Sequence, residues 1–357
     1  MKSTNKRATI RDIAQLAKTS VATVSWVING DSRKYVSDEL KERVQQAAKI
    51  LNYHPNLLAQ RLKGKSRKLL AIIIPQFENI FFNRIVIGAE KYANSRGYKL
   101  LICTTDDDFR KEAEIINQLI ANWVDGFLIT PTLEGKKSVD AIVQSGVPLV
   151  LMECVSKADI DCVAVDNFNT ASLAAEFLFQ RGHRQIAYIG WDTGFESILN
   201  RSKGFIQGLN ELGIPREEII FMKCLRSAEA GYIITNEILN NHKPTVFFID
   251  QNNIAEGVVR ALRERKLNIP GDISLLLYGD PSWARLNVPE FTAMNLPDFD
   301  IGAEAARILI DKLEGRDTAI QKILLSGHLA IRDSVINHSP ANIVEDKIGE
   351  IVNNIEA

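Results

Sequence analysis

The stretch TIRDIAQLAKTSVATVSWVIN, residues 9–29, decides how the N-terminal part of the chain is interpreted. Its first half predicts a short helix, because apolar residues recur there at helical spacing: Ile13, Ala14 and Ala17. Thr9 is placed to cap this helix, and Asp12 stands three residues on, as in a capping box. Its second half predicts another short helix, with Ser20 as the N-cap.

The second predicted helix has two distinct faces. Three apolar residues point inward, namely Val24, Val27 and Ile28, whereas an opposite face carries Ala22, Ser25, Trp26 and Asn29. Two packed helices that leave one face free are what a helix-turn-helix motif needs to place a helix in the major groove of DNA. An ordinary helical hairpin has the same spacing, so this stretch alone leaves both interpretations open.

The charge of the chain is divided unequally. Residues 1–68 hold 15 Lys+Arg and 5 Asp+Glu, a net charge of +10, and the rest of the chain carries −11. A basic head on an acidic body predicts a polyanion as the partner of the head. A solvated basic face and a membrane surface are the alternatives, but the long amphipathic helix that a membrane surface would need is not predicted there.

A third helix is predicted from Ser37, with an apolar stripe formed by Val44, Ala47, Ala48 and Leu51. Three helices can then form a small core. Pro55 breaks the chain, and the helical stretch that follows is too short to be stable alone, so it predicts a linker that orders on binding. The GKS of residues 64–66 resembles the end of a P-loop, but Ala59 stands where that motif needs its first glycine.

From residue 69 short apolar runs alternate with helix-length amphipathic stretches. The runs form two series: 69–74, 99–103, 126–130 and 148–152, then 185–190, 219–222, 246–249 and 273–278. Such a βα repeat predicts parallel sheets covered on both faces, in two similar α/β subdomains. A ligand site is expected in the crevice between them, at the carboxyl ends of the strands.

Several function classes are not supported by any motif. The four cysteines form no C-x-x-C pair or Cys/His cluster, so neither a zinc site nor a disulfide framework is indicated. The chain has no serine-nucleophile elbow and no complete P-loop, so an enzyme is not expected, and no metal or cofactor is predicted. No apolar run approaches membrane-spanning length, which predicts a cytoplasmic protein.

The chain resembles the LacI/GalR family of transcription regulators. The likeness runs from about Ala8 to Ser334 and rests on several motifs in order, among them TIRDIAQLAKTSVATVSWVING, NYHPNLLAQRLKGKS, VDGFLITPT, GVPLVLM and IPGDISLLLYGD. It implies an all-α helix-turn-helix head, a hinge helix and a two-lobed α/β core similar to periplasmic binding proteins. It also implies a repressor at the bacterial nucleoid, a homodimer or tetramer that binds a palindromic operator in double-stranded DNA, with a sugar-type effector between the lobes.

On this resemblance the head spans residues 8–54, the hinge 55–66, the core 67–338 and a C-terminal tail 339–357. The N-lobe is expected at about 69–163 plus 293–322, and the C-lobe at about 164–290 plus 323–338. In the tail Ile348, Ile351 and Ile355 share a helical face, which fits a docking helix, a tetramer-forming helix or a plain surface helix; a dimer is favoured.

The resemblance also assigns DNA-binding residues. Val21, Ala22 and Trp26 match base-reading positions, and Leu62 matches a wedge that enters the minor groove. Trp26 stands where Arg or His is common in the family, so this face has few polar groups that can read bases. More of the sequence specificity is then expected to come from the shape of the operator. The full set of DNA-binding residues is Thr9, Ser20, Val21, Ala22, Thr23, Ser25, Trp26, Asn29, Asn56, Ala59 and Leu62.

The effector-binding residues implied by the resemblance are Phe82, Thr132, Glu153, Arg201, Arg226, Gln251, Asn252 and Asp280. Asn252 and Gly279 stand where the family has Asp, and Arg226 stands where several members carry an aromatic residue. A cleft with fewer carboxylates and one more guanidinium is expected to favour an anionic effector, such as a sugar acid or sugar phosphate, although Glu153 is counter-evidence. A small-molecule binder without a DNA role and an enzyme remain the alternative functions.

Overall fold

The computed structural model of the protein describes residues 8–28, 35–53, 67–122, 124–155 and 158–338. The chain divides after Arg67 into a small helical head and a large α/β core. The whole predicted hinge and the whole predicted tail lie outside the described residues. None of the helices in the described ranges combines the length and the apolar character that a membrane span requires.

The head consists of three helices, α1 (Ile10–Leu16), α2 (Val21–Ile28) and α3 (Asp38–Ile50). The predicted capping box is confirmed, because the Thr9 N–H donates to Asp12 Oδ2 at 2.7 Å and the Asp12 N–H donates to Thr9 Oγ1 at 3.4 Å. Ser37 caps α3 as predicted. A small core joins the three helices, and its buried members are Ile13, Ala14, Ala17, Val24, Val44 and Ala47.

The first sheet of the core is wholly parallel, with strand order β11-β5-β4-β3-β1-β2. Its strands are β1 (Leu69–Ile74), β2 (Lys99–Thr104), β3 (Gly126–Ile129), β4 (Leu149–Met152), β5 (Asp161–Val165) and β11 (Lys322–Leu325). Apolar clusters cover both faces, as expected for a parallel sheet flanked by helices. We call this sheet and its helices the N-lobe.

The second sheet has the order β12-β10-β9-β8-β6-β7. Its strands are β6 (Ile186–Trp191), β7 (Ile220–Cys224), β8 (Val246–Ile249), β9 (Ser274–Tyr278), β10 (Thr292–Asn295) and β12 (His328–Ala330). All pairings are parallel except that of β12, which runs antiparallel to β10 at the edge. Apolar clusters again cover both faces. This sheet and its helices form the C-lobe.

The helices of the core connect successive strands. Those of the N-lobe are α4 (Ile80–Ser95), α5 (Phe109–Asn122), α6 (Lys136–Ser145) and α11 (Asp298–Leu313), and those of the C-lobe are α7 (Asn167–Gln180), α8 (Glu196–Glu211), α9 (Ala228–Asn241) and α10 (Asn252–Glu264). In the N-lobe α4 and α11 pack at glycines: a Cβ on Gly88 would lie 2.0 Å from Phe299 O, and one on Gly302 would lie 1.8 Å from Ile85 O. Side chains at these positions would force the two helices apart.

Within the described residues the chain crosses between the lobes three times, and each predicted crossing came two or three residues too early. Residues 164–165 still belong to β5 of the N-lobe, although the C-lobe was expected from about 164. Strand β10 pairs with β9 and so belongs to the C-lobe, although residues 293–295 were expected in the N-lobe. Strand β11 pairs with β5 and belongs to the N-lobe, although residues 323–325 were expected in the C-lobe. The two strands are short, and their composition does not reveal which sheet they join.

Candidate functional site

The α2 helix presents the residues that were predicted to read DNA. Ser20 caps the helix, because its Oγ accepts from the Thr23 N–H at 3.0 Å. Val21 is 42% exposed and Ala22 is exposed, whereas the Trp26 side chain is half-buried. The outward face of α2 is therefore mainly apolar at its N-terminal end. Four predicted DNA-binding residues lie outside the described residues: Asn29, Asn56, Ala59 and Leu62.

A cavity of about 280 Å³ lies between the two lobes, at the carboxyl ends of the strands. All eight predicted effector-binding residues line it: Phe82, Thr132, Glu153, Arg201, Arg226, Gln251, Asn252 and Asp280. The end of β1, the start of α4 and the turn after β3 supply the N-lobe wall. The loops after β6, β7, β8 and β9 supply the C-lobe wall. The cleft is therefore the crevice that the βα repeat predicted.

Arg201 is the centre of a buried polar network on the floor of the cavity. Its Nε and Nη2 donate to Asn167 Oδ1 at 3.2 and 3.0 Å, and its Nη1 donates to the carbonyl of Asp250. The guanidinium also lies 3.8 Å from the ring centroid of Tyr278. The arginine is 6% exposed. It therefore joins α8 to the start of α7 and to the ends of β8 and β9.

Glu153 carries two signs of a functional position. Its φ of 56° lies in the left-handed region, which is uncommon for a residue with a side chain and is often retained at binding sites. Its Oε1 accepts from the Val165 N–H at 2.8 Å. Burial of the carboxyl group raises its pKa to about 7, and the Val165 hydrogen bond and the charge of Arg201 only partly offset this effect.

Asp280 lines the cavity, but its carboxylate is engaged within the C-lobe. Arg332 donates to both of its oxygens, at 2.9 and 2.6 Å, and Arg285 donates to Oδ2 at 2.8 Å. Burial by itself would raise the pKa of Asp280, but these hydrogen bonds outweigh it and hold the pKa below its usual value. Asp280 thus acts first as an anchor for the loop after β9.

Arg226 has a partner across the cleft. Its Nη2 lies 2.7 Å from Asp107 Oδ2, and its guanidinium lies 4.3 Å from the ring centroid of Trp191. The expectation of an anionic effector treated this guanidinium as an available fork for a carboxylate or phosphate. That premise left out Asp107, because one N–H of the guanidinium already donates to this carboxylate of the protein.

Asn252 and Gly279 lie next to each other in the C-lobe wall of the cavity. Gly279 has a φ of +102°, a conformation that residues with a side chain rarely adopt, and a Cβ there would lie 3.0 Å from Asn252 Nδ2. The Oδ1 atom of Asn252 is buried and has no hydrogen-bond partner among the described residues. A buried acceptor without a partner is costly unless a ligand or water supplies a donor. Asn252 is therefore well placed to accept from an effector.

Several residues that line or support the cavity were not singled out from the sequence. Trp191, Phe195, Asp250, Tyr278 and Asp107 line the cavity as well. Glu112, from α5, is fully buried and accepts from the Thr132 N–H at 2.6 Å, so it fixes the turn that carries Thr132. Trp191 and Asp250 directly follow the apolar cores of strands, and this position could have indicated that they line the crevice at the carboxyl ends of the sheet. The roles of Asn167 and Glu112 depend on long-range contacts that periodicity does not reveal.

Comparison with known proteins identifies both parts of the chain. Residues 9–56 match the model for bacterial regulatory proteins of the lacI family, and residues 175–335 match a periplasmic binding protein-like domain. The chain is 30% identical over 340 residues to the HTH-type transcriptional regulator DegA of Bacillus subtilis (strain 168), covering 94% of this chain and 99% of the relative. The chain belongs to the LacI family.

Solved structures agree with this assignment. One is a Lac repressor bound to ONPG in the repressed state, with 25% identity, a TM-score of 0.81 and coverage of 92% of this chain and all of that chain. Another is a LacI family transcriptional regulator from Enterococcus faecium with bound ribose, with 25% identity, a TM-score of 0.69 and coverage of 75% and 99%. This LacI-family protein is thus a DNA-binding transcription regulator. An enzyme and a small-molecule binder without a DNA role are set aside.

Proposed function

We propose that this regulator is a repressor whose operator binding is controlled by a compact, neutral polyhydroxy effector, such as a monosaccharide, held between the two lobes. The observation that carries the proposal is the cavity itself, which combines aromatic faces with buried polar groups. Its volume of about 280 Å³ is near the lower end of the range of roughly 300–1,000 Å³ for ligand sites. That volume favours a small effector.

Aromatic rings give the cavity surfaces on which a sugar ring can lie. Phe82 enters from the N-lobe and is 8% exposed, so it belongs both to the core and to the cavity wall. Trp191 and Phe195 enter from the C-lobe, with their ring centroids 5.4 Å apart. The apolar faces of a sugar ring can pack against such rings, while its hydroxyl groups reach the polar residues around them.

The charges of the cavity favour a neutral effector over an anionic one. Among the described lining residues six are acidic, namely Asp107, Glu153, Glu196, Asp250, Asp280 and Asp298, and two are basic, Arg201 and Arg226. Both arginines already have partners in the protein. An added anion would have to compete with these partners for the two guanidinium groups. Sugar hydroxyls, in contrast, can donate to carboxylate and amide oxygens.

A thermal-shift screen tests the effector class. D-ribose, D-glucose and D-galactose are compared with gluconate, glucuronate and glucose 6-phosphate at equal concentration. We expect a neutral monosaccharide to raise the unfolding midpoint by several degrees, since a ligand at 100 times its Kd adds about 2.7 kcal/mol of stability. If only the acids or the phosphate raise the midpoint, the proposed effector class is wrong.

For the DNA end we propose that two heads of a homodimer each place α2 in one half-site of a palindromic operator, with the predicted DNA-binding residues in contact. The proposal rests on the exposure of Val21 and Ala22 and on the family membership. Apolar side chains at these positions can contact thymine methyl groups but cannot hydrogen-bond base edges. Location in the cytoplasm, at the nucleoid, stays a prediction.

The Ala22→Asp variant tests this arrangement. A carboxylate on the outward face of α2 would meet the phosphate field of DNA, so operator affinity in a gel-shift titration should fall at least about tenfold, or 1.4 kcal/mol. Gln45→Asp adds the same charge to an exposed position of α3 and is the matched control. Equal losses of affinity for both variants would contradict the placement of α2 in the half-site, because the effect would then depend only on the added charge.

A further inference from the structure

An ion pair connects the two lobes at the edge of the cleft. Asp107 follows β2 in the N-lobe, Arg226 follows β7 in the C-lobe, and 119 positions separate them in sequence. Their side chains are 24% and 15% exposed, whereas Arg201 on the floor is 6% exposed. The pair is therefore nearer to solvent than the floor, at the rim of the cavity that both residues line. We call this pair the clasp.

The neighbouring residues show that the clasp is specific to Asp107. Three acidic residues follow β2 in a row, but Asp106 pairs with Lys111 of the same lobe, and Asp108 accepts from the Arg110 N–H at the start of α5. Asp107 alone of the three crosses to the C-lobe among the contacts observed in the described residues. Its φ of 59° holds its backbone in the left-handed region, which Asp tolerates better than most residues.

Arg226 is held from the other side as well. Its guanidinium packs over the Trp191 ring at 4.3 Å, an arrangement that attracts a cation and limits the rotamers available to it. The carboxylate and the indole together fix the guanidinium at one point of the rim. A second contact between the lobes lies at Leu133 and Gly194, where a Cβ on the glycine would be 3.4 Å from the leucine Cδ atoms.

We propose that the Arg226–Asp107 clasp determines the size of effector that the cleft accepts, by holding the lobes closed around a single sugar ring. The inference rests on the proposed function, because it concerns the same cleft. A ligand of two rings would extend past the rim, and the clasp would have to open to admit it. Opening costs free energy, because it breaks the ion pair and exposes the Trp191 face. A longer ligand therefore binds more weakly, although no residue contacts its second ring.

The first test needs no ligand. Asp107→Asn, Arg226→Met and the double variant are unfolded by heat beside the wild type. We expect each single variant to lose about 2–4 °C in the midpoint, and the double variant to lose no more than either single, because all three remove one interaction. Asp106→Asn, in the same turn but paired within its own lobe, is the control. Additive losses of Asp107→Asn and Arg226→Met would show that the two residues are not coupled, and would overturn the clasp.

The second test concerns size. Thermal shifts are measured with D-ribose, D-glucose, cellobiose and maltose on the wild type, Asp107→Asn and Asp106→Asn. We expect the wild type and Asp106→Asn to be stabilised by monosaccharides but not by disaccharides. We expect Asp107→Asn to be stabilised by a disaccharide too, and to bind monosaccharides about threefold to tenfold more weakly than the wild type does. A disaccharide that stabilises the wild type as much as a monosaccharide would overturn the size limit. If no sugar stabilises any form, the proposed function fails, while the thermal cycle still decides whether the clasp exists.

Discussion

Replacement of Arg201 by Met is expected to lower the free energy of unfolding of the core by about 3 kcal/mol, the lower end of what loss of one partner from a buried charged network costs. Met can keep the packing against Tyr278, but it has no donor for Asn167 Oδ1 or for the Asp250 carbonyl. The charge that offsets the buried carboxyl groups of Glu153 and Asp250 is lost too. A fall in the thermal midpoint of about 6–12 °C should follow.

Arg226→Met is the matched control for this prediction, because it removes the same group from the same cavity at a more exposed place. Its expected loss is smaller, about 1 kcal/mol, since ion pairs near the surface contribute little; this corresponds to the fall of about 2–4 °C expected for the same variant in the clasp test. Arg201→Lys keeps the charge but cannot span two acceptors in fixed directions, so its stability should lie between wild type and Arg201→Met. Equal stability of Arg201→Met and Arg226→Met would contradict the central role of Arg201.

Much of the architecture could be predicted because it depends on local patterns. Eight of the twelve strands in the described residues coincide with apolar runs, since a parallel strand covered on both faces needs mainly apolar residues. The strands β5, β10, β11 and β12 were not among these runs. The caps of α1 and α3 were predicted for a similar reason, because a cap depends on residues only three positions apart. The eight predicted effector-binding residues came from the family resemblance, and in the structure all eight line one cavity.

What could not be predicted involves contacts between distant segments. The sequence shows the charge of Arg226 but not that Asp107, 119 residues away, neutralises it. It likewise shows Asp280 but not the two arginines that engage its oxygens. The expectation of a cleft more positive than is usual in the family did not take these partners into account. Which sheet receives β10 and β11 is another long-range choice, since both sheets offer a free edge to a short strand.

Glu153→Gln is expected to change how stability depends on pH. Burial raises the pKa of Glu153 from its usual value of 4.5 to about 7, so between these pH values the folded protein keeps a proton that the unfolded chain has lost. The stability of the wild type therefore falls as pH rises through this window, and the loss is complete above pH 7. Gln can still accept from the Val165 N–H but never ionises, so the variant should be more stable at pH 8, by on the order of 3 kcal/mol.

The measurement is the urea midpoint of the wild type, Glu153→Gln and the exposed control Glu134→Gln at each pH from 5 to 9. Asp250 and Glu112 are also buried with raised pKa values, but they remain in every form, so the difference between wild type and Glu153→Gln isolates Glu153. A difference that stays constant with pH would contradict the predicted titration.

The same proton matters for binding, because a protonated Glu153 can donate to a sugar oxygen, whereas an ionised one can only accept. Sugar affinity of the wild type should then change between pH 6 and 8, while that of Glu153→Gln, which keeps a donor and an acceptor throughout, should not.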